Sequence, residues 1–307
     1  MFDFANGAGR WAAASLTAMA AAIGASAARA AEGMAEPWQT GFQPAASPVM
    51  NEIRWFHDSF LLPLTIVIAA FVLLLLVICA VRFNARANPT PSRTTHNTAL
   101  EVAWTLVPVL ILVAVAIPSF RLLYFQLDYV NEQRAPDITV KAIGEQWYWS
   151  YEYPDHGDIS FDSYLVEEAD LKPGQPRLLT VDAEVVVPVG KVVRLLVTAD
   201  PAGVIHAWAI PAFGVKIDAV PGRLNETWFK AERTGLYYGQ CSELCGRGHA
   251  FMPIAVRVVT EADFSSWVET AKTAGLAEAY RKLAQTSQDA GSAPRTAALA
   301  VPARPAN

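Results

Sequence analysis

Two stretches of the chain run without a single charged residue. Leu61 to Val81 reads LLPLTIVIAAFVLLLLVICAV, and Val102 to Phe120 reads VAWTLVPVLILVAVAIPSF. A helix rises about 1.5 Å per residue, so each run is long enough for a hydrocarbon layer of roughly 30 Å. Pro108 and Pro118 are compatible with a membrane helix whose neighbours re-satisfy its backbone. A buried helix of a soluble core gives a similar run, but two of them about 20 residues apart favour a membrane hairpin. The predicted membrane helices cover residues 61–81 and 100–123. From about residue 135 the pattern changes. Short β-rich runs, ITVKA, WYWSYEY, RLLTV, KVVRLLVTA, ETWFKA, GLYYGQ and IAVRVV, alternate with Pro, Gly and Asp/Asn turns. That spacing predicts an all-β sandwich or barrel over residues 135–260. Helical spacing returns over 261–285, and the Ala, Pro, Ser and Gln of 286–307 predict a disordered tail.

Charge orients the hairpin. The loop 82–99 carries Arg82, Arg86 and Arg93 and no acid, while the outer flanks carry Glu52, Asp58, Asp128 and Glu132. Basic loops stay in the cytoplasm, which places the segment 31–60 and the β-rich region outside. Residues 1–30 agree with this. Arg10 precedes an Ala-rich apolar stretch, and Ala28-Arg29-Ala30 fits a signal-peptide cleavage site, with Asp3 as a departure from the usual basic start. A disordered Ala-rich tail is the alternative. The formal net charge of −5 argues against general nucleic-acid binding.

Cysteine is scarce. Cys79 lies in the first apolar run, so thiol chemistry rests on Cys241 and Cys245, in CSELCGRGHAFM. Along an extended strand these two would be about 13 Å apart, so they need a tight loop, which Gly246 and Gly248 permit. Such a loop serves a disulfide or a shared metal. A disulfide needs neither His249 nor Met252. Thiolate, imidazole and thioether together make a soft ligand set, and a weak axial Met points to copper. His57 and His96 lie beside or between the membrane runs, and His156 sits in the turn PDHGD as a solvated histidine. His206 follows a strong strand and is the better second imidazole. Two thiolates can bridge two coppers, with His206 and His249 as terminal ligands and Met252 and a backbone carbonyl as weak axial ones. Such a centre spreads one electron over both metals and suits electron transfer.

The stretch CSELCGRGHAFM resembles the dinuclear copper A motif of cytochrome c oxidase subunit II of the bacterial aa3 type. The resemblance extends over ALEVAWTLVPVLIL (99–112), GEQWYWSYEYP (144–154), FDSYL (161–165), HAWAIPAFGVKIDAVPGRLNETWF (206–229), GLYYGQCSELCG (235–246) and FMPI (251–254). It implies a two-helix transmembrane hairpin, an all-β cupredoxin-like Greek-key barrel and a C-terminal helix. Two copper ions would be held by His206, Cys241, Cys245, His249, Met252 and the backbone carbonyl of Glu243. The Glu243 carboxylate would face a magnesium or manganese ion at the boundary with oxidase subunit I, a hard cation suited to oxygen ligands.

The same resemblance makes Trp147 the tryptophan through which electrons arrive. It makes Glu101 the mouth of a proton pathway on the cytoplasmic side. The region around Trp147 is acidic, and Glu152, Asp155 and Asp162 are its candidate contacts for cytochrome c, since an acidic face steers a basic partner. Two features depart from the family pattern: Glu145 stands where a His is common, and the loop DPAG before His206 is slightly long. Both bear on the docking surface. The implied function is electron uptake from cytochrome c for a terminal oxidase of the bacterial inner membrane. The copper domain lies on the periplasmic side, and haem and copper B reside in subunit I, beside subunit III and membrane lipid. There is no C-x-x-C-H, hence no fused haem domain. A quinol oxidase subunit II shares the hairpin and barrel but lacks the copper ligands. A membrane-anchored copper chaperone would predict alternating strands and helices.

Overall fold

The computed structural model describes residues 33–132, 135–157 and 159–292. The expected signal peptide, residues 1–30, lies outside them. The first long helix is continuous from Pro48 to Arg82 and starts earlier than its apolar run. It comprises α1 (Pro48–Arg54), one π-helical segment (Trp55–Leu61) and α2 (Leu62–Arg82). α3 (Thr98–Glu132) also outruns its predicted span, because polar and aromatic residues beyond Phe120 continue the helix toward the β domain. Both helices are long and apolar enough to cross a membrane, and their apolar side chains are exposed.

Among the described residues the β domain holds ten strands. β1 (Ile138–Glu145), β2 (Tyr148–Tyr153), β3 (Ile159–Ser163), β5 (Val192–Ala199) and β8 (Asn225–Lys230) form one sheet in the order β3-β2-β1-β5-β8. β4 (Val185–Pro188), β10 (Pro253–Val259) and β9 (Gly235–Gln240) form a second, and β6 (His206–Ile210) pairs with β7 (Val215–Ala219) in a third. β1 runs parallel to β5, and β4 parallel to β10; the other pairs are antiparallel. Alternate residues of β1, β2 and β5 point into a core of Val140, Trp149, Tyr151, Leu195, Trp208, Phe213 and Ile254. The predicted β sandwich is present. One predicted strand is absent: RLLTV (177–181) is a turn, with Leu178 at φ +65° and an isolated Leu165–Val181 bridge. β3, β4, β6 and β7 lie outside the β-rich runs of the sequence, and all four are short.

The C-terminal helix is two helices. α4 (Glu261–Ala274), capped by the Thr260 hydroxyl, ends at Gly275, and α5 (Leu276–Ser292) continues into the region read as tail. Gly275 takes φ +87°, a left-handed value that glycine adopts without a Cβ clash. Trp267 of α4 lies against Tyr153 and Tyr280, so both helices close the sandwich.

The helices are joined to the β domain by buried polar contacts. The Ser47 hydroxyl, fully buried, caps α1 by accepting from the Met50 N–H and donates to the Phe213 carbonyl. Phe125 near the end of α3 meets Trp228 of β8 edge-on at 5.6 Å. Within the sandwich, Tyr153 plays a similar clasping role between sheets: its hydroxyl donates to the Val186 carbonyl and accepts from the Val186 N–H, at 3.0 and 2.9 Å. Tyr153→Phe leaves both backbone groups buried and unpaired. It should lower stability by about 1–3 kcal/mol, measured as the fall in denaturant midpoint followed by tryptophan fluorescence.

Candidate metal centre

The loop between β9 and β10 carries CSELCGRGHAFM, and its ends are tied together. The Cys241 N–H donates to the Met252 carbonyl at 3.3 Å, while the Ser242 N–H donates to Ala207 of β6 at 3.0 Å. Inside the loop, His249 and Phe251 donate to the carbonyls of Gly246 and Gly248, winding a short 3-10 turn that returns His249 toward Cys245. His206 opens β6, where pairing with Ala219 fixes its direction.

These constraints bring the donor atoms into one connected set. Cys241 Sγ lies 3.8 Å from His206 Nδ1 and 3.8 Å from Cys245 Sγ. Cys245 Sγ lies 3.6 Å from His249 Nδ1 and 3.7 Å from Met252 Sδ. The Glu243 carbonyl oxygen is 3.4 Å from Cys241 Sγ. A disulfide needs sulfurs about 2.05 Å apart, so the pair is not one. A metal bound at ~2.3 Å to each sulfur would span the observed separation with an S–metal–S angle of about 110°. The two thiols are therefore spaced to share metal ions, and each has an imidazole at its outer side. His206 is fully buried, and its Nε2 has no hydrogen-bond partner among the described residues. The residues present fit a soft, two-metal centre.

Burial sets the protonation of this centre. It pushes the Cys245 thiol up to about 12, with the neighbouring Cys241 adding to the effect. It also depresses His206 below the ordinary histidine value, with His249 adding to that. Near neutral pH the metal-free site thus holds a protonated Cys245 thiol and a neutral His206, ready to ligate as soon as the thiol proton is displaced.

The geometry of these donors also depends on close approaches at two glycines, which the sequence shows only as a motif residue, Gly144, and as a loop former, Gly248. A Cβ on Gly144 of β1 would sit 2.8 Å from the His206 ring, and one on Gly248 would sit 2.3 Å from Trp147 Cγ. Trp147 occupies the tip of the β1–β2 hairpin, after the cis Gln146–Trp147 peptide bond, and its indole N–H donates to the Cys245 carbonyl at 2.9 Å. Trp149 supports the other side: its indole N–H reaches the Met252 carbonyl at 3.3 Å, and its ring meets His206 edge-on.

Other expected residues fall elsewhere. Glu101 is in the first turn of α3, 24 residues and about 36 Å of helix from Phe125 at the β-domain end. Glu152 pairs with Lys141 at 3.0 Å, and the Asp155 carboxylate accepts the Thr139 N–H at 2.6 Å. Both lie toward the far end of β2 from Trp147, about 16 Å along the strand for Glu152. Asp162 is on β3 beside Ser150. Glu145, at the hairpin tip, is raised above the usual carboxylate range by partial burial and by the nearby Asp200 and Asp162. Asp200, in the loop before His206, thus joins the acids at this end. His156 is not simply solvated: its ring meets Phe264 edge-on, and burial lowers its pKa.

Two outcomes follow. Gly144→Ala should displace the His206 imidazole and weaken metal retention, seen as metal lost on dialysis against a mild chelator, with the fold kept by circular dichroism. Raising pH should tighten copper binding, because the proton on Cys245 must leave for the metal to enter. Between about pH 6.5 and 7.5 the apparent affinity should rise about tenfold per proton displaced, measured by chelator competition; an affinity flat with pH would mean that the thiols bind already ionised.

A family model for cytochrome c oxidase subunit II, periplasmic domain, matches residues 138–259, and one for its transmembrane domain matches residues 35–122. The probable cytochrome c oxidase subunit 2 of Rickettsia bellii is 52% identical over 232 residues, covering 76% of this chain and 84% of that protein. Cytochrome c oxidase subunit 2 of Zea mays is 52% identical over 239 residues, covering 76% and 90%. Among solved structures, the periplasmic domain of subunit II of cytochrome oxidase (CoxB) of Bradyrhizobium japonicum is 65% identical. It covers 45% of this chain and 96% of that one, with a TM-score of 0.42. With both of its halves matched, and with relatives half identical along most of their length, the chain belongs to the cytochrome c oxidase subunit II family.

Proposed function

We propose that this subunit receives electrons from cytochrome c at its exposed β1–β2 tip and delivers them through a dinuclear copper centre to haem in oxidase subunit I. There oxygen is reduced to water with proton pumping. The observation that carries this reading is the unbroken run of donor atoms from His206 through Cys241 and Cys245 to His249 and Met252, each within 4 Å of the next. Bound there, two coppers supply a one-electron couple shared between both metals.

The chain's own residues do the rest. Cys241, Cys245, His206 and His249 would hold the coppers, with Met252 and the Glu243 carbonyl close enough to add weaker donors. Rigid strands and the tied loop keep these donors from rearranging when the charge of the centre changes, which lowers the reorganisation needed for transfer. Trp147 links the surface to Cys245 by one hydrogen bond. Glu145, Asp162 and Asp200 provide negative charge at this end, better placed for steering a basic donor than Glu152 and Asp155. The exposed Glu243 carboxylate is free to hold a magnesium or manganese ion at the boundary with subunit I. Glu101 marks the mouth of a proton pathway at the cytoplasmic end of α3. The β domain then lies on the periplasmic side of a bacterial inner membrane, with residues 82–99 in the cytoplasm and subunit III and lipid around the hairpin. A copper carrier would need thiols open to its acceptor, whereas Cys241 and Cys245 are only 6% and 4% exposed.

The decisive measurement is metal content with electron paramagnetic resonance of the copper-loaded chain. Two coppers, and one electron's hyperfine pattern spread over two nuclei, are expected; one copper with a single-nucleus pattern would withdraw the bridging roles. Met252→Leu should keep the copper but shift its potential. Trp147→Phe should keep the copper and slow electron uptake by about tenfold, a loss of about 1.4 kcal/mol at the barrier. An unaltered rate in low salt would remove that role from Trp147.

A further inference from the structure

The surface around Trp147 is not uniformly negative. The Arg247 guanidinium carbon lies 5.0 Å from the centroid of the Trp147 ring, a cation–π arrangement. Arg247 is exposed, and among the described residues it forms no ion pair. The loop is shaped to hold it there. Gly246, at φ +112°, and Gly248 flank Arg247, and the missing Cβ atoms let their backbone lie against the indole. The same indole donates to the Cys245 carbonyl. A permanent positive charge therefore sits on the ring proposed to pass electrons, while Glu145, Asp162 and Asp200 form the acidic ground beside it.

We propose that Arg247 is a specificity-determining residue for the electron donor. It selects a c-type haem protein whose basic rim is interrupted, next to the haem edge, by a carboxylate or carbonyl group that meets the guanidinium. The physical reason is a difference in range. Acids on the face attract a basic donor from a distance, whatever its details. At contact, a donor lysine set against Arg247 brings two like charges together over Trp147, whereas an acceptor group there gains a charge-assisted hydrogen bond. Arginine also presents several N–H donors in a fixed plane, which suits an oxygen acceptor. In the transfer itself one electron leaves the ferrous haem, which becomes ferric, and is taken up by the subunit's metal centre. The inference rests on the uptake role of Trp147 only for where the donor's haem edge comes to rest.

The test uses the assembled oxidase carrying Arg247→Leu, Arg247→Lys or Trp147→Phe. Two donors are compared: a strongly basic cytochrome c with lysines around its haem edge, and the same protein with one haem-edge lysine changed to glutamate. Donor Kd, KM and kcat are read at low and high ionic strength. With the all-lysine donor, Arg247→Leu should lower Kd and KM by roughly threefold to tenfold at low salt. The effect should fade at high salt, kcat should hold, and Arg247→Lys should stay near wild type. With the glutamate donor the sign should reverse, with Kd and KM rising. A change of the same sign and size for both donors, or none for either, overturns the proposal and leaves Arg247 as packing for Trp147. Trp147→Phe reports on a separate quantity, the rate of metal reduction in the bound complex. If it runs at full speed, the uptake role of Trp147 is withdrawn, and the donor-dependent sign change still decides the case of Arg247.

Discussion

Everything at the proposed copper centre depends on one loop holding soft donors within 4 Å of each other while keeping water out. Two thiols and a histidine buried at this density are costly unless their lone pairs are used. The chain meets this demand mechanically. The Cys241 and Met252 backbones are bonded across the base of the loop, Ser242 is bonded to β6, and two inner turns direct His249 back to Cys245. The donors are thus set by one strand residue and a loop tied to core strands, and a metal entering the site would meet donors already in place. Burial also raises the Cys245 thiol, so metal binding and proton release are one event.

A second consequence of this geometry is the short route from the surface inward. Trp147 is half-buried at a hairpin tip, and a single hydrogen bond connects it to the backbone of a ligand residue. The glycines of the loop make this contact possible, since a side chain at Gly248 would occupy the indole's place. The charges around the tip are mixed. In the proposed docking, carboxylates act at long range and Arg247 acts at contact. Attraction and discrimination are therefore assigned to different residues, so one can change in evolution without the other.

The joint between membrane helices and β domain matters for the same reason. Electron transfer to a partner subunit requires the donor centre at a fixed distance, and a freely swinging domain would spoil it. Ser47, buried between α1 and Phe213, together with the Phe125–Trp228 contact, couples the two parts through groups that cannot be solvated without loss. The long helices start and end beyond their apolar runs because these polar and aromatic ends belong to the joint.

The sequence by itself determined the elements whose cause is local or compositional. Uncharged runs near 20 residues specify membrane-length helices, alternation specifies the sandwich, and Cys, His and Met at close spacing specify a soft ligand set. Even the second imidazole, His206, was legible from its position after a strong strand. Tertiary structure decided what depends on contacts between distant segments. RLLTV carries β-forming residues yet becomes a turn, because Leu178 takes a left-handed conformation and only an isolated bridge is available. Short strands such as β4 and β7 exist because neighbours pair with them. Glu152 and Asp155 are read in the sequence as docking acids, and only the fold shows that Lys141 and the Thr139 N–H are their partners. What Gly144 and Arg247 do carries no signal in a linear pattern: one matters because a ring from another strand fills its missing side chain, the other because the fold sets its charge on Trp147. Periodicity records which face a residue shows to the core, and it contains no information on which distant side chain will stand opposite.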